Sequence, residues 1–363
     1  MHKVKPILFG PLPPPFGGVA VFMTAISRTA LQHGVRVWSY TGKPPNENQN
    51  EILFVNHRRF GHLLALLREG RGARITDSTH FHLEHPNVLL LPLWLLSKAF
   101  LRFKWVKILH DGSLPPRYEN FGMLKRLLCR LALRHIDEFV IYSDAIEAWL
   151  REKISPDKQI NFVPLLMPLA SEWRDGQLDE DVTQVLDSYS QHAVRVCSIG
   201  IFLPDYGFHN VTNAVEKMRE ETGKDIGLML IDGGVECDES YRSSVVRGRE
   251  WISVIQNVTQ SAVARSLKLS NVFVRAPAHE SYGISRIEAL WCGVPVIATN
   301  VGETRGMFLY EYGDEATLLA HLKNVLNGGR VPDAKRWADN FQIEAEKNLE
   351  NYLRVIKGDE ILR

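Results

Sequence analysis

The stretch His279-Glu280-Ser281-Tyr282-Gly283-Ile284-Ser285-Arg286-Ile287-Glu288-Ala289-Leu290, continued by Trp291-Cys292-Gly293-Val294-Pro295-Val296-Ile297-Ala298-Thr299, decides how this chain reads. Its order of residue types predicts a loop, then a helix, then a buried strand. Glu280 falls in the loop, and the Ser-Tyr-Gly turn leaves the first backbone N–H groups of the helix without partners. Those amides and the helix dipole favour an anion such as a phosphate. Glu288 follows eight residues later, at most about 12 Å along the axis if all eight are helical. That reach is comparable to the span from a sugar ring to a ribose across a diphosphate, so two carboxylates at this spacing suit the two ends of one such ligand.

Outward from this stretch, strand and helix patterns alternate along the chain, which points to parallel sheets covered by helices. Residues 5–10 read as a first strand, 11–18 as a Pro/Gly loop, 19–33 as a helix and 35–40 as the next strand, a βαβ unit. Further strands are expected at 74–76, 80–83, 106–109, 138–142 and 159–163. A polar, acidic segment at 171–191 reads as a connection. After it the alternation restarts, with strands at 194–199, 227–231, 272–274 and 294–298 and helices at 211–221, 261–268 and 284–292. The 363 residues suit two domains. They are expected at 1–170 and 192–335, with a final helix over 336–363 returning to the first.

The hydrophobic share of 45% and charged share of 23% are those of a globular protein. Cys129, Cys197, Cys237 and Cys292 lie too far apart in sequence for a zinc knuckle or redox dithiol, which implies a reducing compartment. Residues 1–9 lack the apolar core of a secretory signal, and the apolar run at 88–96 is broken by Pro92, so a cytoplasmic protein is expected. The net charge of +1 conceals an asymmetry. Residues 1–170 carry 22 Lys and Arg against 13 Asp and Glu, a balance of +9, and the remainder carries 21 against 29, a balance of −8. Residues 95–107 and 123–134 mix apolar residues with Lys98, Arg102, Lys104, Lys107, Lys125, Arg126, Arg130 and Arg134. Basic amphipathic helices of this kind suit the surface of an anionic membrane, so peripheral contact with its inner face is expected. No nucleic-acid-binding motif is present. His80, His82 and His85 alternate with Phe81 and Leu83 as in a strand, and no metal site is expected.

The chain from Glu280 to Thr299 resembles the group 1 (family 4) retaining glycosyltransferases of the GT-B fold, whose hallmark is E-x7-E followed by E-A-L/M-x-x-G-x-P-V-I/V-A-S/T. The resemblance implies two Rossmann-like domains facing each other across a cleft. It also implies transfer of a sugar, with retention and without metal or cofactor, from a nucleotide sugar to a glycan or lipid-linked glycan in polysaccharide biosynthesis. Glu280 is then expected on the donor sugar's hydroxyls and Glu288 on the ribose. The backbone around Ser281, Tyr282, Gly283 and Ile284 is expected on the sugar and diphosphate. Phe16-Gly17-Gly18-Val19 occupies the place of the family's N-terminal glycine loop, so Gly17 and Gly18 are expected near the phosphates. His110, after the strand at 106–109, matches a family histidine that touches the donor sugar. The loop Asp232-Gly233-Gly234 is expected to border the base.

One part of the family pattern is missing. Relatives carry a G-R-x-x-x-x-K-G-like segment whose Arg and Lys face the diphosphate, whereas here Gly200 is followed by Ile201 where Arg is expected and Tyr206 where Lys is expected. Charge-assisted hydrogen bonds of this kind contribute about 1.5–3 kcal/mol each. Three readings stay open: Arg275, Arg286 or Arg305 substitutes; Tyr206 and the helix dipole suffice with a different donor; or the protein binds sugar nucleotides without turning them over. Substitution is favoured, which adds Tyr206, Arg275 and Arg305 to the donor residues. Two other functions fit the same motifs, a sugar-nucleotide epimerase and a donor-binding partner subunit.

Overall fold

A computed structural model describes residues 5–14, 16–41, 52–55, 61–79, 91–110, 112, 114–169 and 172–362. The chain divides into two compact units, one of residues 1–14, 18–168 and 345–363, the other of residues 15–17 and 169–344.

The first unit runs β1 (Lys5–Gly10), α1 (Gly18–Gln32), β2 (Arg36–Ser39), β3 (Ile52–Phe54), α2 (Gly61–Glu69), β4 (Ala73–Asp77), α3 (Leu91–Leu101) and β5 (Lys104–Ile108). It continues with α4 (Leu114–Asn120), α5 (Met123–His135), β6 (Glu138–Ile141), α6 (Asp144–Lys153) and β7 (Gln159–Phe162). Among the described residues these strands form one parallel sheet in the order β3-β2-β1-β4-β5-β6-β7. Near-continuous apolar strands are what a sheet covered on both faces requires, and Ile7, Leu8, Ile75, Val106, Ile108, Phe139 and Val140 are all buried.

The second unit holds α7 (Glu172–Asp175), α8 (Glu180–Ser190), β8 (Val194–Phe202), a 3-10 turn (Pro204–Tyr206), α9 (Phe208–Thr222), β9 (Ile226–Cys237), α10 (Glu239–Val246) and β10 (Ile252–Gln256). Then follow α11 (Gln260–Leu269), β11 (Val272–Arg275), α12 (Ile284–Trp291), β12 (Val296–Thr299), β13 (Phe308–Tyr310), α13 (Glu315–Leu326) and the part of α14 (Ala334–Lys357) up to Glu344. Its parallel sheet has the order β10-β9-β8-β11-β12-β13 among the described residues. The strand order reverses between β8 and β11, the switch point outside whose carboxyl ends doubly wound sheets bind ligands. The last part of α14 packs within the first unit, where Tyr352 donates its hydroxyl to Val163 O at 2.9 Å.

Several expectations are corrected. Residues 172–191, expected as part of a connection, group with the second unit, in which Leu186 and Tyr189 of α8 are buried. The helix expected over 95–107 stops at Leu101: Arg102 turns left-handed at φ 54° and the chain enters β5. Residues 232–234 lie inside the long strand β9 and form no loop. The strand expected at 80–83, with His80, His82 and His85, falls outside the described residues.

Candidate functional site

At the carboxyl ends of β8 and β11 the polypeptide is stitched into a compact loop cluster. The 3-10 turn after β8 ends at Gly207, with φ 70°, and a Cβ placed there meets Ala276 O at 2.0 Å. Only glycine fits so close to the chain that leaves β11. Ala278 N–H donates to Asp205 O at 2.7 Å, closing the same junction.

Glu280 lies in the loop after β11 and is mostly buried, with 11% of its side chain exposed. It is engaged by Arg275, whose Nε donates to Oε2 at 2.8 Å and whose Nη2 stands at 2.6 Å. Ser281 N–H donates to Oε1 at 3.2 Å. Burial pushes the Glu280 carboxyl up, but the charges of Arg275 and Arg286 with these hydrogen bonds outweigh it, and the net effect holds the group below the ordinary carboxylate range. Arg275 also donates Nη1 to Ile199 O and lies over the Tyr206 ring at 5.4 Å. Arg275, Tyr206 and Glu280 thus form one cluster beside Gly200.

Gly283 introduces α12 with φ 83°, and no side chain caps that helix end. A Cβ there approaches Arg286 at 3.0 Å and Glu280 at 3.3 Å, so the bare turn lets all three pack together. Only residues from Ile284 onward are helical, so Glu288 stands on the second turn, about 6 Å along the axis from Ile284. Glu288 is 6% exposed. No hydrogen bond or ion pair to its carboxylate is present among the described residues, and burial raises it to about 7. A nearly buried carboxylate without a donor lacks the partner that such groups ordinarily have. It is a ready acceptor for hydroxyl donors.

The cations expected to substitute at a diphosphate are distributed differently. Arg286 is wholly buried and bonds Val301 O, Glu303 O at 2.9 Å and Thr299 Oγ1 at 3.4 Å, which ties the loop after β12 to α12. Arg305 forms paired contacts with Glu303 and Glu344 at 2.8–3.0 Å and lies over the rings of Trp337 and Phe341. Arg275 alone of the three shares hydrogen bonds with Glu280 and a ring contact with Tyr206. Tyr282 is buried, and its carbonyl accepts from Glu303 N–H at 3.0 Å.

In the first unit His110 follows β5, is 8% exposed, meets Ser78 Oγ through Nε2 at 2.7 Å and packs edge-on to Phe22 at 5.1 Å. Ser78 is a residue sequence reasoning missed. Its only signal is its place just after β4, the strand beside β5. Gly18 opens α1, whereas Gly17 groups with the second unit, in which Phe16 N–H donates to Asn257 Oδ1 at 3.0 Å. Among the described residues no three His, Cys, Asp or Glu side chains gather as a metal site, and the four cysteines are free.

Comparison with known proteins adds a family and a fold. Residues 190–320 match the family described as "Glycosyl transferases group 1". The trehalose synthase of Thermococcus litoralis is 22% identical, the match covering 71% of this chain and 65% of that protein, so the chain spans about two thirds of its relative's length. The sucrose-phosphate synthase of Thermosynechococcus elongatus superposes with a TM-score of 0.68 at 16% identity, covering 97% of this chain and 96% of the other. HepE of Anabaena, solved with UDP-glucose, gives a TM-score of 0.68 at 14% identity over 97% of each chain. Residues 190–320, which hold Glu280, Gly283 and Glu288, are therefore similar to the group 1 glycosyltransferases, and the chain that carries them has the two-sheet GT-B fold.

Proposed function

We propose that this protein transfers a sugar from a nucleotide-diphosphate sugar to a hydroxyl of a glycan or lipid-linked glycan, with retention and without a metal ion, in cell-surface polysaccharide synthesis. The observation that carries the donor assignment is Glu288: 6% exposed, unpartnered among the described residues and one turn inside a helix whose N-terminus no side chain caps. Ribose hydroxyls supply the donors this carboxylate lacks. Phosphates suit the free amides after Gly283, and Glu280, held by Arg275, receives the sugar hydroxyls. Arg275 is the cation assigned to the diphosphate side, with Tyr206 beneath it, and Arg305 braces the loop after β12 through Glu303 and Glu344. Gly17 and Gly18 are assigned to the phosphates and His110 to the reacting hydroxyls. The leaving phosphate assists deprotonation of the acceptor, so no protein base is required. UDP-glucose in HepE supports a uridine-linked donor. The trehalose and sucrose-phosphate synthases point to small sugars as further candidate acceptors.

Calorimetric titration with UDP and a panel of nucleotide sugars tests this reading. Glu288→Gln is expected to weaken nucleotide binding at least about tenfold, the loss of a charged hydrogen-bond acceptor. Glu280→Gln should leave nucleotide binding nearly intact while abolishing transfer. Equal nucleotide affinity in wild type and Glu288→Gln would sink the donor assignment. A second reading, a donor-binding partner subunit with little activity of its own, is favoured by Ile201 and Tyr206 standing where cations are expected and by Arg275 being paired with Glu280. Binding without donor hydrolysis or transfer, even with membrane extract as acceptor, would select it.

A further inference from the structure

The helical layer of the first unit is apolar on its outside as well as its inside. The connections β3→β4, β4→β5 and β5→β6 all step in one direction across the sheet, so right-handed crossovers place α2, α3 and α5 on the same face. Their buried residues agree, because Leu66, Leu101, Cys129 and Leu133 join a single core cluster. α2 packs on α3, and Lys98 of α3 meets Asp137, just beyond α5, at 2.8 Å. The outward side of this layer carries Leu64 and Leu67 on α2, Leu96 and Phe100 on α3, and Leu124 and Leu127 on α5, all exposed, Phe100 to 82%. In α5 the spacing is decisive. Cys129, Ala132 and Leu133 face the core, while Leu124, Leu127 and Leu131 recur at i, i+3 and i+7 on the opposite side and are exposed. Exposed apolar side chains gathered on the outside of one helical layer mark an interaction face.

Charge selects the occupant. α5 contains Lys125, Arg126, Arg130 and Arg134 and no acidic residue, and none of the four forms an ion pair among the described residues. Arg126 and Arg134 donate to the backbone carbonyls of Glu119 and Ile154, which leaves their charge uncancelled. By contrast Lys98, Lys104 and Lys107, expected from sequence to serve the same surface, are ion-paired with Asp137, with Glu138, which Arg74 also holds, and with Asp77. Pairing this face with its copy would set like charges against each other, whereas long basic side chains beside exposed leucines match an anionic bilayer, apolar below and negative at the headgroups. No helix among the described residues is long and apolar enough to cross a membrane, so the contact is with the surface.

We propose that the α2–α3–α5 face docks on anionic lipid, with the α5 leucines in the interface and its four cations at the headgroups. This rests on the acceptor side of the proposed function and names the surface that would present the protein to a lipid-borne acceptor. The test is co-sedimentation of the full chain, without donor, with vesicles of phosphatidylcholine alone and with about 30% phosphatidylglycerol. Binding to the anionic vesicles is expected, weakened in about 0.5 M salt. Arg126→Gln/Arg130→Gln should lower partitioning about 25-fold, near fivefold per cation, and Leu124→Gln/Leu127→Gln at least about tenfold by loss of interfacial burial, with melting temperatures unchanged in both. The proposal is overturned by absence of binding, by equal binding to both vesicle types, by binding that neither variant alters, or by a dimer or soluble protein complex that the leucine variant disperses. Nucleotide titration of the same preparations separates the outcomes: a chain that binds nucleotide but not vesicles loses only this proposal.

Discussion

Glu280 and Glu288 come from one motif and have opposite electrostatic fates. Glu280 is held ionised by Arg275 and Arg286 against its burial, whereas Glu288 has burial alone and rises from 4.5 to about 7. A carboxyl raised in the folded state keeps a proton that the unfolded chain has already released. The stability this contributes is complete below about pH 4.5 and is lost as the pH climbs to about 7. Across that window the unfolding free energy of the ligand-free protein should fall by about 3 kcal/mol from this group. Chemical denaturation at stepped pH reads it, and Glu288→Gln should flatten the slope; an identical slope in the variant would show that other groups carry it. The residue types and their spacing were legible in the sequence. The pairing of Arg275 with Glu280 was not, because it depends on how the loop after β11 folds back over the strand end. Neither was the diversion of Arg305 to Glu303 and Glu344, residues 2 and 39 positions away.

The turn between β8 and α9 controls whether the carboxyl ends of β8 and β11 can approach. Gly207 and Gly223 are both left-handed, at φ 70° and 65°, but a Cβ at 207 falls 2.0 Å from Ala276 O and one at 223 meets nothing within 4 Å. Gly223→Ala should therefore cost about 1–2 kcal/mol, the conformational penalty alone. Gly207→Ala should cost at least about 3 kcal/mol, because backbone has to move as well. Equilibrium urea unfolding of the two variants checks the difference, and equal losses would mean that the junction yields easily. Periodicity located most strands of both sheets and the α9, α11 and α12 helices. It placed a strand at 106–109 but carried the preceding helix too far, to residue 107, since Phe103, Trp105 and Lys107 look as basic and apolar as the helix before them. The segment is a strand through its parallel ladder with β4, which sets Lys107 beside Asp77 and buries the two as an ion pair.

At the scale of the molecule, α14 serves both units in turn, its residues up to Glu344 grouping with the second and those from Ala345 with the first. Tyr352 is fully buried, packs edge-on to Phe22 at 5.0 Å and bonds Val163 O. Tyr352→Ala should destabilise the chain by about 4 kcal/mol through the cavity, and Tyr352→Phe by about 1 kcal/mol through the lost hydrogen bond. Thermal unfolding followed by circular dichroism tests this, and a wild-type melting temperature in Tyr352→Ala would deny the helix its anchoring role. By itself the sequence determined that two parallel sheets form and that a loop, a glycine turn and a helix carry two glutamates, because period, turn chemistry and spacing are local properties. Only the tertiary structure decided which charges meet. Arg275 with Glu280 and, among the described residues, the unpartnered Glu288 and the uncancelled cations of α5 all depend on neighbours brought together by strand order, and Coulomb energy and desolvation follow distance in space, not distance along the chain.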